Sequence, residues 1–283
     1  MLRIISAITR RKIVLLICLS CLILPLLPAN AQDLDNYKWR GTAYWWYSQP
    51  SGSFNSAGNR GTIDLQKDFD FGYYSTFSGY IDWHFKRKHH LLFGISPVSQ
   101  SHTVTLARTI TYQGNVYAVG TRASADLQAL SFSPGYQWDF FRRDHGYVAL
   151  DVQLYLLDTK GSVTGTVVVN NQAAIRTSSA SFFAPLPVLG PRARWYPLHD
   201  SDRLAFDGFV QGMYFGGYGD FISTRGAVAV GLTHHLKLSA GYQLGTRLSI
   251  HGGSDRLGIR LTQKGPVVGI EGSWGTQEGG GKH

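Results

Sequence analysis

Apolar and polar side chains alternate with a period of two along most of this chain. In the stretch 76–86, Phe77 and Trp83 fall on one face, while Tyr80 and Asp82 fall on the other. Successive side chains of a β-strand point to opposite faces, so this alternation predicts strands with one apolar and one polar face. The same pattern recurs over 128–140, 145–158 and 236–247.

The predicted strands are long and are joined in an asymmetric way. They run for about 10 to 14 residues, whereas strands of soluble proteins have about 5 or 6 and tilted transmembrane strands about 9 to 11. Short polar turns alternate with longer loops rich in Gly, Ser and Asn, as in outer-membrane barrels. The predicted turns are 87–89, 142–145, 199–202 and 233–235, and the predicted loops are 50–61, 113–121, 161–172, 216–220 and 251–255.

We therefore predict an all-β fold, a transmembrane antiparallel up-and-down β-barrel of about 10 strands, with 8 to 12 left open. The first and last strands would both begin or end on the periplasmic side. A soluble β-sandwich would also alternate, but with shorter strands and with its bulky residues packed inward. Aromatic residues instead stand near the ends of the apolar faces, where membrane barrels carry aromatic girdles. They are Trp83, Tyr136, Trp138, Tyr242 and Trp274.

The last predicted strand changes its parity. Its apolar residues are odd-numbered from Leu257 to Leu261 and even-numbered from Val268 to Trp274. We predict a β-bulge at 264–266, because Gly265 relieves strain and Pro266 cannot donate to the ladder. The aromatic end of the strand resembles the terminal strand that barrel-assembly machinery recognises, and 275–283 would be a flexible tail.

The first residues have the pattern of an export signal. Basic residues at 10–12 precede an apolar run at 13–27, and Ala29 and Ala31 supply the small residues that a signal peptidase requires. We predict a cleaved signal peptide over 1–31 and a barrel domain over 32–274. Cys18 and Cys21 both fall within this signal, so the barrel would contain no disulfide.

The charge of the chain excludes one class of partner. Removal of the signal takes the Lys and Arg count from 27 to 23 against 18 acids, so the net charge falls from +9 to +5. A nucleic-acid-binding protein would concentrate basic residues on one face, and this chain is also predicted to be exported. The expected location is the bacterial outer membrane. The expected partners are outer-membrane lipid, the barrel-assembly machinery and small solutes.

The chain after the signal resembles the small outer-membrane β-barrel proteins of bacteria. Three phrases, at 82–85, 241–245 and 260–266, resemble an uncharacterised branch of them. That class includes narrow channels, adhesins, proteases and lipid-modifying enzymes. The resemblance therefore implies a location and an architecture, and it implies little about activity.

The polar faces of the predicted strands would point into the lumen. The charged or ionisable residues on them are Asp82, His84, Asp151, Arg192, Arg194, Asp207, Lys237, Arg247, Arg256, Arg260 and Glu271. One interpretation is a polar plug of Arg–carboxylate pairs. The other is a narrow pore whose constriction, built from Arg247, Arg256 and Arg260, would favour anions. We expect a net basic lumen.

The histidines give weak signals for chemistry. Only His102 and His251 fall near the predicted outer rim, where a hydrolytic or lipid-modifying enzyme would place them. The paired His89–His90 and His234–His235 would point to opposite faces, so they predict no metal site. The histidines at 89, 90, 145, 199, 234 and 235 are expected to be solvated at the turns.

No catalytic residue, cofactor or metal is predicted. The expected function is a structural barrel or a narrow channel for small solutes, with anions as one option. The alternatives are a surface-binding barrel that acts through its loops and, third, a rim enzyme.

Overall fold

In the computed structural model of this chain, the described residues are 34–55, 62–143, 145–169, 172–198, 201–216, 219–251 and 258–276. The predicted signal peptide and most of the predicted tail lie outside them. The strands are β1 (Trp39–Asn55), β2 (Thr62–Asp64), β3 (Tyr74–Lys86), β4 (His89–Thr105), β5 (Ile110–Tyr112), β6 (Asn115–Tyr117), β7 (Arg122–Arg143), β8 (Gly146–Val169), β9 (Gln172–Trp195), β10 (Leu204–Phe215), β11 (Gly219–Gly231), β12 (Leu236–His251) and β13 (Gly258–Trp274).

Ten long strands form a closed antiparallel ring. Each pairs with its neighbours in chain order, and β1 pairs with β13 from Trp39↔Trp274 at one end to Asn55↔Gly258 at the other. The short strands β2, β5 and β6 belong to the loops. Closure satisfies the backbone N–H and C=O groups of the edge strands, which a bilayer cannot do. The predicted all-β barrel of about ten strands is confirmed.

The two ends of the barrel differ. We call the end with the short β3–β4, β7–β8 and β11–β12 connections the turn end, and the opposite end, with residues 62–73 and 106–121, the loop end. In outer-membrane barrels the short turns face the periplasm and the longer loops face outward. Among the described residues, the structure contains no helix that is both long enough and apolar enough to span a bilayer.

An apolar belt surrounds the half of the barrel nearer the turn end. The predicted outward faces of β3, β7 and β12 lie there, with exposed Phe77, Phe132 and Leu238 as examples. The edge of the belt that is nearer the loop end, which we call its upper edge, passes through Leu130 on β7. Leu130 pairs with Pro97 on β4 and with Asp158 on β8, which mark the same level on those strands. We call this surface the lipid band.

Above the lipid band, the two faces of the wall exchange character. On β8, Val152 points outward within the band and Asp151 is buried inside the barrel. Further along the same strand, Lys160 is exposed on the outside, whereas Val163 and Val167 are buried inside. A wall in water needs a polar outside and can bury apolar side chains inside, and a wall in lipid needs the reverse.

The prediction of a loop over 161–172 is wrong. Strands β8 and β9 continue through most of it, paired from Gly161↔Ala180 to Val169↔Gln172. This wall extends beyond the lipid band for about 35 Å at the rise per residue of a β-strand. Its Gly, Ser and Thr content is typical of loops, which explains the error.

The bulge predicted at 264–266 is also misplaced. The register between β13 and β1 continues without a shift from Trp46↔Val267 to Ser53↔Arg260. The irregularity lies on β12, between Gln243 and Thr246. The parity change has a different cause: Leu261 points inward and packs against the buried apolar cluster at the loop end. The apolar face of β13 thus switches where the strand leaves the lipid band.

Residues from two loops fill the barrel at the loop end. Phe69 and Phe71 come from the β2–β3 connection, and Leu106 and Tyr117 come from the β4–β7 connection. They pack against inward residues of β7 and β8 such as Leu127. We call this buried cluster the apolar plug.

The lipid band predicts a position-dependent effect of charge. Val152→Arg places a guanidinium near the middle of the band and should lower the free energy of unfolding by about 2–4 kcal/mol. Thr166→Arg, on the same face of β8 but above the band, should change it by less than about 0.5 kcal/mol. Urea unfolding of the barrel in phosphatidylcholine vesicles measures both. Equal losses for the two variants would contradict the position of the band.

Candidate functional site

Residues 34–38 cross the barrel at the turn end, just before β1. The carboxylate of Asp35 is buried there and accepts hydrogen bonds from Arg40 and from Tyr196 Oη, the latter at 2.6 Å. Arg142 Nη2 lies 3.5 Å from the same carboxylate and donates to the Asp35 carbonyl oxygen at 2.8 Å. The segment is therefore held by side chains from β1, β7 and the end of β9.

A second buried ion pair crosses the lumen beside this segment. Arg194 on β9 donates two hydrogen bonds to Glu271 on β13, at 2.7 and 2.9 Å. Arg40 Nε lies 3.6 Å from Glu271 Oε1, so the two carboxylates of Glu271 and Asp35 share one guanidinium. Bidentate pairing of this kind fixes orientation as well as charge.

A third group of charges lies deeper in the lumen. Arg192 Nε donates to Asp151 Oδ2 at 2.7 Å, and Gln211 donates to the same oxygen at 2.9 Å. Asp207 lies 3.9 Å from Arg192 and 3.4 Å from Arg225. These groups come from β8, β9, β10 and β11, so the contacts span neighbouring strands across the inner wall.

A histidine cluster completes the turn end. Asp82 accepts from Tyr37 Oη at 2.6 Å and lies 2.9 Å from His90 Nδ1. The other ring nitrogen of His90 lies 3.1 Å from Asp139. His84 packs between Tyr37 and His90. Its ring stacks on that of Tyr37, with the ring centroids 4.0 Å apart, and is nearly perpendicular to the ring of His90, with the centroids 3.5 Å apart.

His90 is not the solvated turn residue that the sequence suggested. It is fully buried, because the alternation of β4 turns it into the lumen while its neighbour His89 points out and bonds Tyr136. His234 and His235 are exposed beside the β11–β12 turn, as expected of turn residues.

The charges inside the described part of the barrel are balanced rather than net basic. Around the turn-end half of the lumen, seven carboxylates face six Lys and Arg side chains and His90. The carboxylates are Asp35, Asp82, Asp139, Asp151, Asp202, Asp207 and Glu271, and the Lys and Arg side chains are Arg40, Arg142, Arg192, Arg194, Arg225 and Lys237. Most of the predicted lumen residues lie in this network.

The described residues do not form the predicted arginine constriction. Arg256 and the side chain of Arg247 lie outside the described residues. Arg260 is exposed, on the face of β13 opposite to Leu261 and Gln263, which line the interior. It lies above the lipid band, where the outside of the wall is polar, and that is the reason for the difference.

Two cavities lie between the ionic network and the apolar plug. One of about 60 Å³ is lined by paired charges that include Arg192 and Asp207. The other, of about 120 Å³, lies closer to the plug and is lined by residues such as Leu186 and Phe221. Tyr80, Tyr155 and Phe209 border both cavities.

The rim residues considered for catalysis do not form a described site. His102 is partly buried, and its ring lies 5.9 Å from that of Phe71. The side chain of His251 lies outside the described residues. Sequence reasoning missed Asp35, Tyr37 and Asp139. Asp139 alternates with Trp138 and Phe140 and could have been found, whereas residues 34–38 precede any periodic pattern.

The Asp35 contacts predict a defined dependence on pH. Burial alone would raise the pKa of Asp35, but the guanidinium groups of Arg40 and Arg142 lower it well below its usual range. A lowered folded-state pKa means that the stabilisation is complete above the unfolded value of about 4 and is lost as pH falls through the folded value.

Asp35→Asn should therefore lower the free energy of unfolding by about 3 kcal/mol at neutral pH, because it leaves the buried charges of Arg40 and Arg142 only partly compensated by Glu271 and Asp139. This difference from the wild type should stay constant from pH 8 to about pH 4 and shrink below it. Chemical unfolding at a series of pH values measures it, with the exposed Asp158→Asn as the control. A difference that already shrinks between pH 7 and 5 would contradict the assignment.

Comparisons with known proteins agree with this architecture. No protein-family model matches the chain, and no curated protein matches it. Among solved structures, the outer membrane protease OmpT from Escherichia coli is similar with a TM-score of 0.57 and 10% identity, over 88% of this chain and 99% of that chain.

Two further structures have TM-scores too low to support an argument. The P. putida toluene transporter TodX has a TM-score of 0.39 and 8% identity, over 88% of this chain and 94% of that one. Neisserial surface protein A has a TM-score of 0.31 and 12% identity, over 84% of this chain and 97% of that one. The likeness to OmpT is in fold alone at this identity. The chain thus has the fold of the bacterial outer-membrane β-barrels, and its activity is left open.

Proposed function

We propose that this protein is a closed outer-membrane barrel, whose body is a structural support and whose lumen passes small solutes only when two internal seals are released. The observation that carries the proposal is the filling of the lumen at both ends. Its partners in this proposal are outer-membrane lipid around the band and the barrel-assembly machinery during folding.

The first seal is ionic and lies at the turn end. Residues 34–38 cross the mouth, and Asp35 is anchored to Arg40 and Arg142. Arg194 and Glu271 connect opposite sides of the wall beneath the segment. Removal of one member of such a buried pair leaves an uncompensated charge, so the seal opens only at a large cost in free energy.

The second seal is the apolar plug. Phe69 and Tyr117 are completely buried within it, and Tyr117 donates to the Val163 carbonyl oxygen at 3.1 Å. The segment that carries Phe69 is held to β1 by the hydrogen bond from Leu65 N to Gly52 O. Close packing of this kind supports a closed lumen, because it excludes hydrated ions from the described part of the loop end.

Released seals would give a narrow channel with little preference for anions. Each described lumen arginine has a carboxylate partner within 4.0 Å, as Arg192 has Asp151 and Arg225 has Asp207. Paired charges cancel much of each other's field, whereas a selective constriction needs charge of one sign.

Conductance in planar bilayers tests the two seals. The wild-type barrel should be silent. Replacing 65–71 by a Gly/Ser segment of equal length opens only the loop end. Asp35→Ala combined with Arg194→Ala and Glu271→Ala opens only the turn end, so each variant should also remain silent. The combination should conduct, because two seals in series must both be released.

A heat-shift gel controls for folding in every variant. Steady openings of the wild-type barrel would contradict the closed state. Conductance in the Asp35→Ala, Arg194→Ala, Glu271→Ala variant alone would show that the apolar plug is not a seal.

A second candidate function is binding at the cell surface. The observation that favours it is the wall of β7, β8 and β9 above the lipid band, whose outer face is rich in hydroxyl groups. Thr164 and Thr177 pair there at 2.9 Å and are accessible to ligands. Hydroxyl groups donate and accept, so such a face suits a hydroxylated ligand such as a polysaccharide.

Alanine at Thr164, Thr166 and Thr177 should then reduce attachment of cells that display the barrel to a polysaccharide-coated surface by several fold. These side chains point away from the apolar plug, so the heat shift should be unchanged. Retention of attachment in the triple variant, compared with cells lacking the barrel, would count against this function.

A further inference from the structure

We infer that the barrel binds a divalent transition-metal ion of the Zn²⁺ type through Asp82, His84 and His90. One carboxylate and two imidazoles form a donor set that Zn²⁺ accepts, with a fourth position left for water. The ligand atoms of these three residues all lie within 4.8 Å of one another. The site lies directly beneath residues 34–38, and Asp82 also lines the smaller of the two cavities.

His84 is the residue that points to an ion. Its side chain is completely buried, and neither ring nitrogen makes a hydrogen bond. Burial of an imidazole without a hydrogen bond costs free energy, so buried polar groups nearly always have a partner. The Nε2 atom lies 3.8 Å from Asp82 Oδ2, too far for a hydrogen bond and suitable for two ligands of one ion.

The spacing of the donor atoms fits a four-coordinate ion. With metal–ligand bonds of about 2.1 Å, two ligand atoms of a tetrahedral Zn²⁺ stand about 3.4 Å apart. Asp82 Oδ1 lies 2.9 Å from His90 Nδ1 and Asp82 Oδ2 lies 3.8 Å from His84 Nε2, and these distances bracket that value. Since the three ligand atoms all lie within 4.8 Å of one another, side-chain movements of at most about 1.4 Å would bring them to tetrahedral spacing.

The surrounding residues orient these ligands as in known metal sites. The second nitrogen of His90 lies 3.1 Å from Asp139, which forms the carboxylate–histidine–metal arrangement. Asp139 is itself fixed by Gln137 and Arg142, each at 2.7 Å. Without an ion, His90 must carry protons on both nitrogens to donate to both carboxylates, and a metal on Nδ1 replaces one of them.

The ion would enter from the turn end. Tyr37 stacks on His84 and donates to Asp82, so residues 34–38 cover the cluster. Beside them lies a mouth cavity of about 610 Å³, lined by Tyr37, His234 and His235 among others. The exposed histidines of this mouth are the natural source of adventitious binding, and they supply the matched control.

Metal titration of the complete barrel tests the inference. The protein is refolded in detergent, stripped with a chelator and titrated with Zn²⁺ and with Co²⁺. One equivalent should bind, Co²⁺ should show the intense visible absorption of four-coordinate sites, and the Tm should rise with metal concentration. His84→Phe, which retains a ring against Tyr37, should abolish the absorption and weaken binding at least about 10-fold.

Two variants separate this site from other histidines and from simple structural damage. Asp139→Asn should weaken binding about 10–100-fold and keep the Co²⁺ absorption, because it supports a ligand without being one. The double variant His234→Ala, His235→Ala should bind as the wild type does. His89→Ala, which changes the outer face of β4 beside His90, should also bind metal with wild-type affinity.

Each of three results would overturn the inference. The first is a wild-type barrel with a normal heat shift that binds no stoichiometric metal. The second is wild-type affinity in His84→Phe. The third is loss of binding in the His234, His235 variant, which would assign the metal to the mouth surface.

Discussion

The structure depends on one constraint: the barrel wall passes from lipid into water, while its backbone must remain paired throughout. The ring from β1 to β13 meets the backbone requirement in both media. The side chains meet the change of medium by exchanging faces. On β8, apolar Val152 and buried Asp151 give way to exposed Lys160 and buried Val163. The lumen is therefore polar towards the turn end and apolar towards the loop end. The ionic seal forms in the polar part and the apolar plug in the apolar part.

The same constraint explains which parts of the fold the sequence could predict. Period-two alternation within the lipid band is unambiguous, so the outward faces around Phe77, Trp138 and Leu238 and the approximate strand number were predictable. Above the band, small and hydroxylated residues alternate with apolar ones, which is also the composition of loops. Residues 161–169 were misassigned for that reason. The parity change near Leu261 was attributed to a bulge, although it marks the exchange of faces.

The sequence could predict which residues line the candidate site, but it could not predict which of them are in contact. Asp82, His84, Arg194 and Glu271 all fall on polar faces, but which residues meet depends on curvature and stagger of the whole ring. Arg194 meets Glu271 across 77 positions of the sequence. Residues 34–38 have no alternation, so their course across the mouth had no signal.

The pairing of the lumen charges links folding to closure of the ring. A chain that crosses the periplasm unfolded needs polar side chains to stay soluble. Every second residue of a membrane strand can be polar, provided that these residues face the lumen. Once water is excluded there, each charge requires a partner, since an unpaired buried ion costs several kcal/mol. Two of these pairs join parts of the barrel that are not neighbours: Asp35 meets Arg142 of β7, and Glu271 of β13 meets Arg194 of β9. These pairs cannot form in a partly assembled sheet, so the ionic network stabilises the closed barrel selectively over open intermediates.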